Sequence, residues 1–468
     1  MTPSASPRLW RRILTRIIVC AMVLPLAGCL RFLFEGDDAS RNKRVISVTV
    51  PADTIPPSVK PLPEPEKGHI TKPATQSGKP VPNVQERLLP QEPPQNPNPM
   101  GNVPLERARP TGNNAFDATP VAREHRAVIT RGDSSYEDLT ITEDMTWRGT
   151  VLVRGSLVVA PQATLRIEPG TVVRFMRSAI MQQTPRLVVL GRLQCIGTAD
   201  KPVLLAPHFL EAARGDWGGV LFLSSEKRNQ LENCRIEGAD TAIEAHFSSF
   251  SAKGVTIARS GTGVLLRDST ATLSMAAISA CETGLGSHDS ELDLREATVT
   301  DNRRGIAAYR STLVLASVKV TGSDQEGVLG EECRIRFSSC EVADNGVGAL
   351  LKGGEGQVLM SRFVRNRNAG LHLAKARIKV QRCLFGDNLA DGMRVEDGRG
   401  VVWASIFSGN GGYNLANAGS EVVSAVQNWW GSNDESMIVA KVFDASRDAR
   451  RGAVIVAPWL AEKPAVLP

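Results

Sequence analysis

The chain has 468 residues, 22% charged and 5% aromatic, and its 42% hydrophobic content excludes wholesale disorder. The net charge of +6 is entirely N-terminal: residues 1–127 hold 17 Lys/Arg against 11 Asp/Glu, and residues 128–468 hold 38 of each. Four of those cations, Arg8, Arg11, Arg12 and Arg16, sit in an expected leader whose loss leaves +2, so the basic footprint of a nucleic-acid binder is absent.

The leader begins with the basic stretch RLWRRILTR at residues 8–16. IIVCAMVLPLAG follows, an apolar run of about a dozen residues that suits a signal-peptide core and is too short to span a bilayer. It ends Leu26-Ala27-Gly28-Cys29, with a Leu three residues before the Cys and two small residues between. This resembles the lipobox of bacterial lipoproteins. The resemblance implies a signal peptide over 1–28 and a lipid-modified Cys29, whose several acyl chains exceed the threshold for stable anchoring. An ordinary secretory leader with a Cys near its cleavage site is the alternative. Leu30, not Asp, follows the Cys, so outer-membrane attachment facing the periplasm or the cell surface is expected.

Residues 29–127 read as a tether. Pro51 to Pro110 contain 16 of the 28 prolines, in segments such as PLPEPEK and PQEPPQNPNP that favour extended polyproline II over a packed core. At about 3.1 Å per residue this stretch reaches somewhat under 200 Å. VISVTV at Val45–Val50 is a short strand by pattern. Arg131-Gly132-Asp133 spells an adhesion tripeptide, which in a polar stretch reads as chance.

Beyond residue 128 there is little helical period; the sequence repeats every 21 or 22 residues instead. One small-residue column holds Ala242, Gly263, Gly284, Gly305, Gly327, Gly348, Gly370 and Gly392. An apolar column follows it immediately, from Ile243 and Val264 to Leu371 and Met393. A second apolar column runs Ile236, Ile257, Ile278, Val299, Val320, Val342, Val364, Phe385, Phe407, and a third Leu273, Leu294, Leu315, Phe337, Met360, Val380, Trp403. Each copy thus holds three short alternating runs separated by Gly, Asn, Asp and Ser turns. No single run makes a stable sheet, but stacked copies pair each strand with its equivalents and bury the same columns continuously. The expected fold is all-β: a right-handed parallel β-helix of three strands per coil over residues 128–460, with a tail at 461–468. Roughly a dozen coils make a rod on the order of 60 Å long. A leucine-rich repeat shares the period but needs a Leu-rich consensus that is absent. Asn302, Asn345, Asn388 and Asn410 recur three residues after the second apolar column, which suits an inward asparagine ladder. The register is expected to slip near Asn366 and Asn368.

The segment WRGTVLVRGSLVVAPQATLRIEPGTVVRF from Trp147 to Phe175, RLVVLGRLQCIGTADKPVLLAP, and Gly215-Asp216-Trp217-Gly218-Gly219-Val220 resemble the first coils of bacterial right-handed β-helix repeat proteins of the pectin-lyase-like kind. Asn428-Trp429-Trp430-Gly431, AKVFDASRDA and Ala457-Pro458-Trp459-Leu460 are similar to that family's closing segment. The resemblance covers about 140–460 and implies the fold, whereas the scaffold hosts lyases, hydrolases, epimerases, adhesins and accessory proteins. Trp217, Trp429 and Trp430 read as caps on the open ends of the solenoid, with sugar stacking as the alternative.

Hydrolases of this fold need clustered aspartates, a Gly-His-Gly and an Arg-Ile-Lys, since cleavage by acid and base needs paired carboxylates. Arg377-Ile378-Lys379 is present, but His372 sits in Leu-His-Leu and no Asp-Asp pair lies in a neighbouring coil, so the triplet reads as coincidence. No stack of Asp suits calcium, and the Asp-Pro-His of alginate epimerases is missing. The surface singled out for ligand binding is the outward column His246, Arg267, His288, Tyr309, Glu331, Lys352, continuing to Ala374 and Glu396, where hydrogen-bonding and stacking groups face an extended glycan; a plain solvated face has the same pattern. His246 and His288 are two coils apart, about 10 Å by strand spacing, too far to share a metal, and no cofactor is expected. Cys234, Cys340 and Cys383 share an inward column, while Cys195, Cys281 and Cys333 show no CxxC spacing, so all six read as buried thiols. The expected protein is a lipid-anchored, exported, non-catalytic scaffold that contacts the membrane through its lipid and binds a polysaccharide or an envelope protein. The alternatives are a carbohydrate-active enzyme with an unusual site, and an accessory protein for periplasmic metalloenzyme maturation.

Overall fold

Strands in the computed structural model pair in parallel with the strand three places further along the chain, up to the C-terminal edge. Residues 127–464 are described, apart from 130 and 179–183; the expected leader, Cys29 and the tether up to residue 126 lie outside the described residues. The pairing gives three parallel sheets of 13, 14 and 14 strands, the β-solenoid expected from the repeat. In the regular coils the first sheet contributes three-residue strands such as Thr298–Thr300, the second six-residue strands such as Arg304–Tyr309, and the third five-residue strands such as Thr312–Ala316. Alternation then sends every second side chain inward. Val299, Ile306, Leu313 and Leu315 are all at most 1% exposed within one such turn of the chain.

The coil can close in so few residues because each corner carries a residue with positive φ. After the second sheet these include Asp268 (47°), Asp289 (50°) and Arg310 (47°); after the first, Asp301 (53°) and Asp344 (60°). Such a conformation costs a non-glycine residue roughly 1–2 kcal/mol. Stacking offsets this, since the corner N–H is satisfied by the next coil: Asp268 N–H donates to the His288 carbonyl at 3.2 Å and Asp289 N–H to that of Tyr309 at 3.1 Å.

Two buried polar ladders brace the corners. Between the first and second sheets, Asn345 donates to Asn366 Oδ1 (3.2 Å), Asn366 to Asn388 (3.0 Å) and Asn388 to Asn410 (2.9 Å). Asn302 belongs to the same row, accepting from Cys281 N–H at 2.9 Å. The expected ladder is therefore present, with Asn366 as an additional rung. Between the second and third sheets stands a serine ladder that the repeat columns did not suggest. Ser248, Ser269 and Ser290 N–H groups donate to the hydroxyls of Ser269, Ser290 and Ser311 at 3.0–3.2 Å. The hydroxyls of Ser248, Ser269, Ser290 and Ser311 donate to the carbonyls of His246, Arg267, His288 and Tyr309.

The structure corrects three assignments. Phe363, not Val364, continues the second apolar column, opposite Val342 and Phe385. Three residues on, Asn366 then falls in the ladder, so no register slip occurs there; exposed Asn368 is the residue outside it. In the third column Val358 and Val402 replace Met360 and Trp403. Met360 instead takes a corner with φ 46° and is 36% exposed. Trp217 is no end cap. It is fully buried inside the solenoid, stacked on Phe175 at 4.1 Å, with its indole N–H donating to the Glu237 carbonyl. Trp430 does close an aromatic row, stacking at 4.8 Å on Phe407, which follows Phe385 and Phe363. Helix Glu435–Ala440, capped by Asp434, then brings Val442–Phe443 to the edge of the second sheet, and Val454–Ile455 edges the third. Asp133, the acid of the adhesion-like triplet, accepts the Thr150 N–H at 2.7 Å, a structural role in the first coils.

Candidate functional site

The outward column expected on the second sheet is in register throughout. His246 pairs with Arg267, then His288, Tyr309, Glu331, Lys352, Ala374 and Glu396 follow one per coil. The His288 and Tyr309 rings stack at 4.8 Å with 12° between their planes. Burial, and then the nearby Arg267 charge, hold the His288 pKa below its ordinary value. Most charges on this face are already neutralised. Lys352 bonds Glu331 at 2.9 Å, His246 reaches Glu244 at 2.8 Å, and Arg394 reaches Glu396 at 2.8 Å. Arg310 chelates Asp289 with two bonds of 2.8 and 2.6 Å, which lowers the Asp289 pKa. A hollow of about 500 Å³ opens here, lined by Tyr309, Glu331, Lys352 and the corner residues Arg310 and Lys375.

The same four coils carry a second hollow of about 570 Å³ on the third sheet. Two outward columns build it: Thr312, Arg334, Glu355, Arg377 and, two residues along each strand, Val314, Arg336, Gln357, Lys379. Four cations thus occupy two coils on either side of Glu355 and Gln357. Gly356 lies between them, opposite Ile335 and Ile378, and a Cβ there would collide with the Ile335 carbonyl oxygen. Arg334 lies 3.7 Å from Glu355. Among the described residues, Arg336, Arg377 and Lys379 have no side-chain hydrogen bond or ion pair, and all three are exposed. Arg377-Ile378-Lys379, set aside in the sequence, therefore contributes two of these cations while Ile378 points into the core at 1% exposure. This face does not stand out in the sequence because neither column is uniform in residue type; the signal is the pairing state of its charges, which needs the neighbouring coils.

Arg336 and Lys379 are separated by two strand spacings, about 10 Å. That arrangement offers anion-binding groups to successive carboxylates of an extended chain, over a floor with a glycine and aliphatic edges. Among the described residues no group of three or more His, Cys, Asp or Glu is placed to hold a metal ion, and His246 and His288 stand two coils apart as expected. The cysteines of the inward column are buried as expected, but Cys195 and Cys234, separated by 39 residues, meet in the core with their sulfurs 3.1 Å apart.

Coil geometry and ladders define a parallel β-helix, and comparison with known families agrees. Residues 241–378 and 284–429 match the right-handed β-helix region family, and residues 138–251 match the pectate-lyase-like β-helix domain. The chain is a parallel β-helix, pectate-lyase-like repeat protein. No curated protein matches it. Similar solved structures include the periplasmic alginate epimerase AlgG, with 11% identity, 68% of this chain and 78% of that chain covered and a TM-score of 0.37. Another is the A-module of Azotobacter vinelandii mannuronan C-5 epimerase AlgE6, with 12% identity, 68% and 91% coverage and a TM-score of 0.31. A third is tailspike protein 3 of bacteriophage CBA120, at 12% identity, 71% and 57% coverage and a TM-score of 0.25.

Proposed function

We propose that this is an exported, lipid-anchored β-helix protein that binds an acidic polysaccharide along its coils without cleaving it. The observation that carries the proposal is the hollow on the third sheet, where, among the described residues, Arg336, Arg377 and Lys379 are left without acidic partners. Unpaired cations grouped at coil spacing attract a ligand whose negative charges recur along an extended chain. The single carboxylate in the lining, Glu355, is held near Arg334, so the hollow does not offer the two carboxylates that hydrolysis by acid and base uses. Export and anchoring are supported by the leader, by Leu26-Ala27-Gly28-Cys29 and by the proline-rich tether. Leu30 rather than Asp after the Cys supports attachment at the outer membrane, facing the periplasm or the cell surface. The row from His246 to Lys352 forms a second strip, in which the stacked His288 and Tyr309 suit a sugar face more than a carboxylate.

The test is a glycan array with the full chain, followed by titration with a polyuronate and a parallel assay for cleavage products. Binding that weakens in Arg336→Gln/Lys379→Gln supports the proposal. Binding lost instead in Arg267→Ala/Tyr309→Ala moves the site to the second sheet. Cleavage or epimerisation products overturn the non-catalytic reading, and absence of binding to every acidic glycan overturns the ligand class.

A further inference from the structure

Cys195 belongs to the third-sheet strand Arg192–Ile196, and Cys234 opens the first-sheet strand Cys234–Glu237, one corner past the strand Asn229–Glu232 that stacks on Arg192–Ile196. Both point into the core, at 0% and 1% exposure, and their sulfurs stand 3.1 Å apart. A disulfide bond is about 2.05 Å long, so closing it asks for a movement of about 1 Å. Among the described residues no comparable contact joins the other thiols: Cys340 and Cys383 share a column but are separated by the coil of Ser361, about 10 Å by strand spacing. The chain between Cys195 and Cys234 includes residues 208–219, the excursion from the first to the second sheet in which Trp217 is inserted. A link between them ties a strand on the N-terminal side of that excursion to one on its C-terminal side.

We propose that Cys195 and Cys234 are joined by a disulfide in the exported protein, a covalent staple across its most irregular coil. The proposal rests on the export reading for the compartment and on the geometry for the pairing. Two S–H bonds break and one S–S bond forms. The two electrons and two protons pass to the disulfide of a thiol–disulfide oxidoreductase, which becomes a dithiol, through a mixed disulfide. In the finished solenoid both sulfurs are sealed, and hydrogen bonding with Cys234 together with burial pushes the Cys195 thiol well above its ordinary pKa. Exchange therefore takes place while the coil is still open, and the closed coil then shields the bond from reductants.

The experiment uses the full chain in two preparations: one expressed with its leader and extracted under acid with alkylation of free thiols, the other refolded in vitro with glutathione disulfide. Peptides are mapped without reduction. The expected result in both is one linked pair containing Cys195 and Cys234, with Cys281, Cys333, Cys340 and Cys383 alkylated only after denaturation. Free Cys195 and Cys234 after oxidative refolding overturn the pairing itself. A link after refolding together with free thiols in the cell extract overturns formation in the cell, and with it the oxidising compartment, while leaving the geometry intact. Thermal unfolding adds an independent reading. Cys195→Ala and Cys234→Ala should each lower the midpoint, and the double variant should lose no more than either single one. Additive losses mean two separate buried thiols and overturn the staple.

Discussion

Replacement of Asn366 by Ala tests whether the asparagine ladder is continuous through the coil where the sequence suggests a slip. Asn366 is fully buried and makes four ladder bonds. Its Oδ1 accepts from the backbone N–H of Asn345 at 3.1 Å and from that residue's Nδ2 at 3.2 Å; its Nδ2 donates to the Val342 carbonyl at 3.2 Å and to Asn388 Oδ1 at 3.0 Å. The Asn388 oxygen keeps the Asn366 backbone N–H, and the Asn345 amide keeps the Val320 carbonyl. The Asn345 backbone N–H loses its acceptor outright. One orphaned buried donor costs about 1–3 kcal/mol, and the weakened contacts bring the expected loss to about 2–4 kcal/mol. Asn368, two residues on and exposed, is the internal control: its replacement by Ala should stay within about 0.5 kcal/mol. Urea unfolding of the full chain, followed by circular dichroism, reads both. Equal effects for the two positions, or a loss below about 0.5 kcal/mol at Asn366, refute the ladder argument.

Three further outcomes are expected. Binding of a polyuronate should weaken as ionic strength rises, and each of Arg336→Gln and Lys379→Gln should cost about 0.2–1 kcal/mol at low salt, checked by calorimetry at two salt concentrations; salt-independent binding refutes a charge-based site. His288 should titrate below the ordinary histidine value of 6.5, because burial and Arg267 disfavour its cation. Since the unfolded chain then holds the proton more tightly, its contribution to stability is complete above 6.5 and declines as pH falls through the depressed folded value. Nuclear magnetic resonance titration of the ring protons checks this, with a midpoint at or above 6.5 as the refuting result. Cys29→Ser should abolish incorporation of labelled fatty acid and release the protein from the membrane fraction; an unchanged label refutes lipidation at Cys29.

The solenoid was legible because its period repeats along one chain. Columns spaced by 21 or 22 residues state which side chains stack, and the register of His246, Arg267, His288 and Tyr309 follows from counting alone. Counting fails where two apolar residues adjoin. Phe363-Val364 and Val402-Trp403 each offer two candidates for one inward position, and only strand pairing decides between them. Met360 misleads for another reason, since an apolar residue at a positive-φ corner looks like a core residue in sequence. The Cys195–Cys234 contact was invisible to columns because its 39-residue separation is not a whole number of coils and joins different sheets. The basic hollow escaped because the absence of partners is a property of three adjacent coils together.

Because each corner carries its own left-handed residue and hands its backbone bonds to the next coil, the rod is a countable object. From His246 to Arg267, His288 and Tyr309 each step is one coil of 21 residues. Removing a whole coil shortens the rod by one strand spacing, about 4.8 Å, and leaves every column aligned. Removing one residue fewer shifts everything downstream by one position and turns inward side chains, the row of Phe363, Phe385 and Phe407 among them, toward water. The length of the strip presented to a ligand can therefore change in the course of evolution only in discrete increments. A longer or shorter ligand is met by adding or dropping coils, much as a ruler is extended by whole divisions.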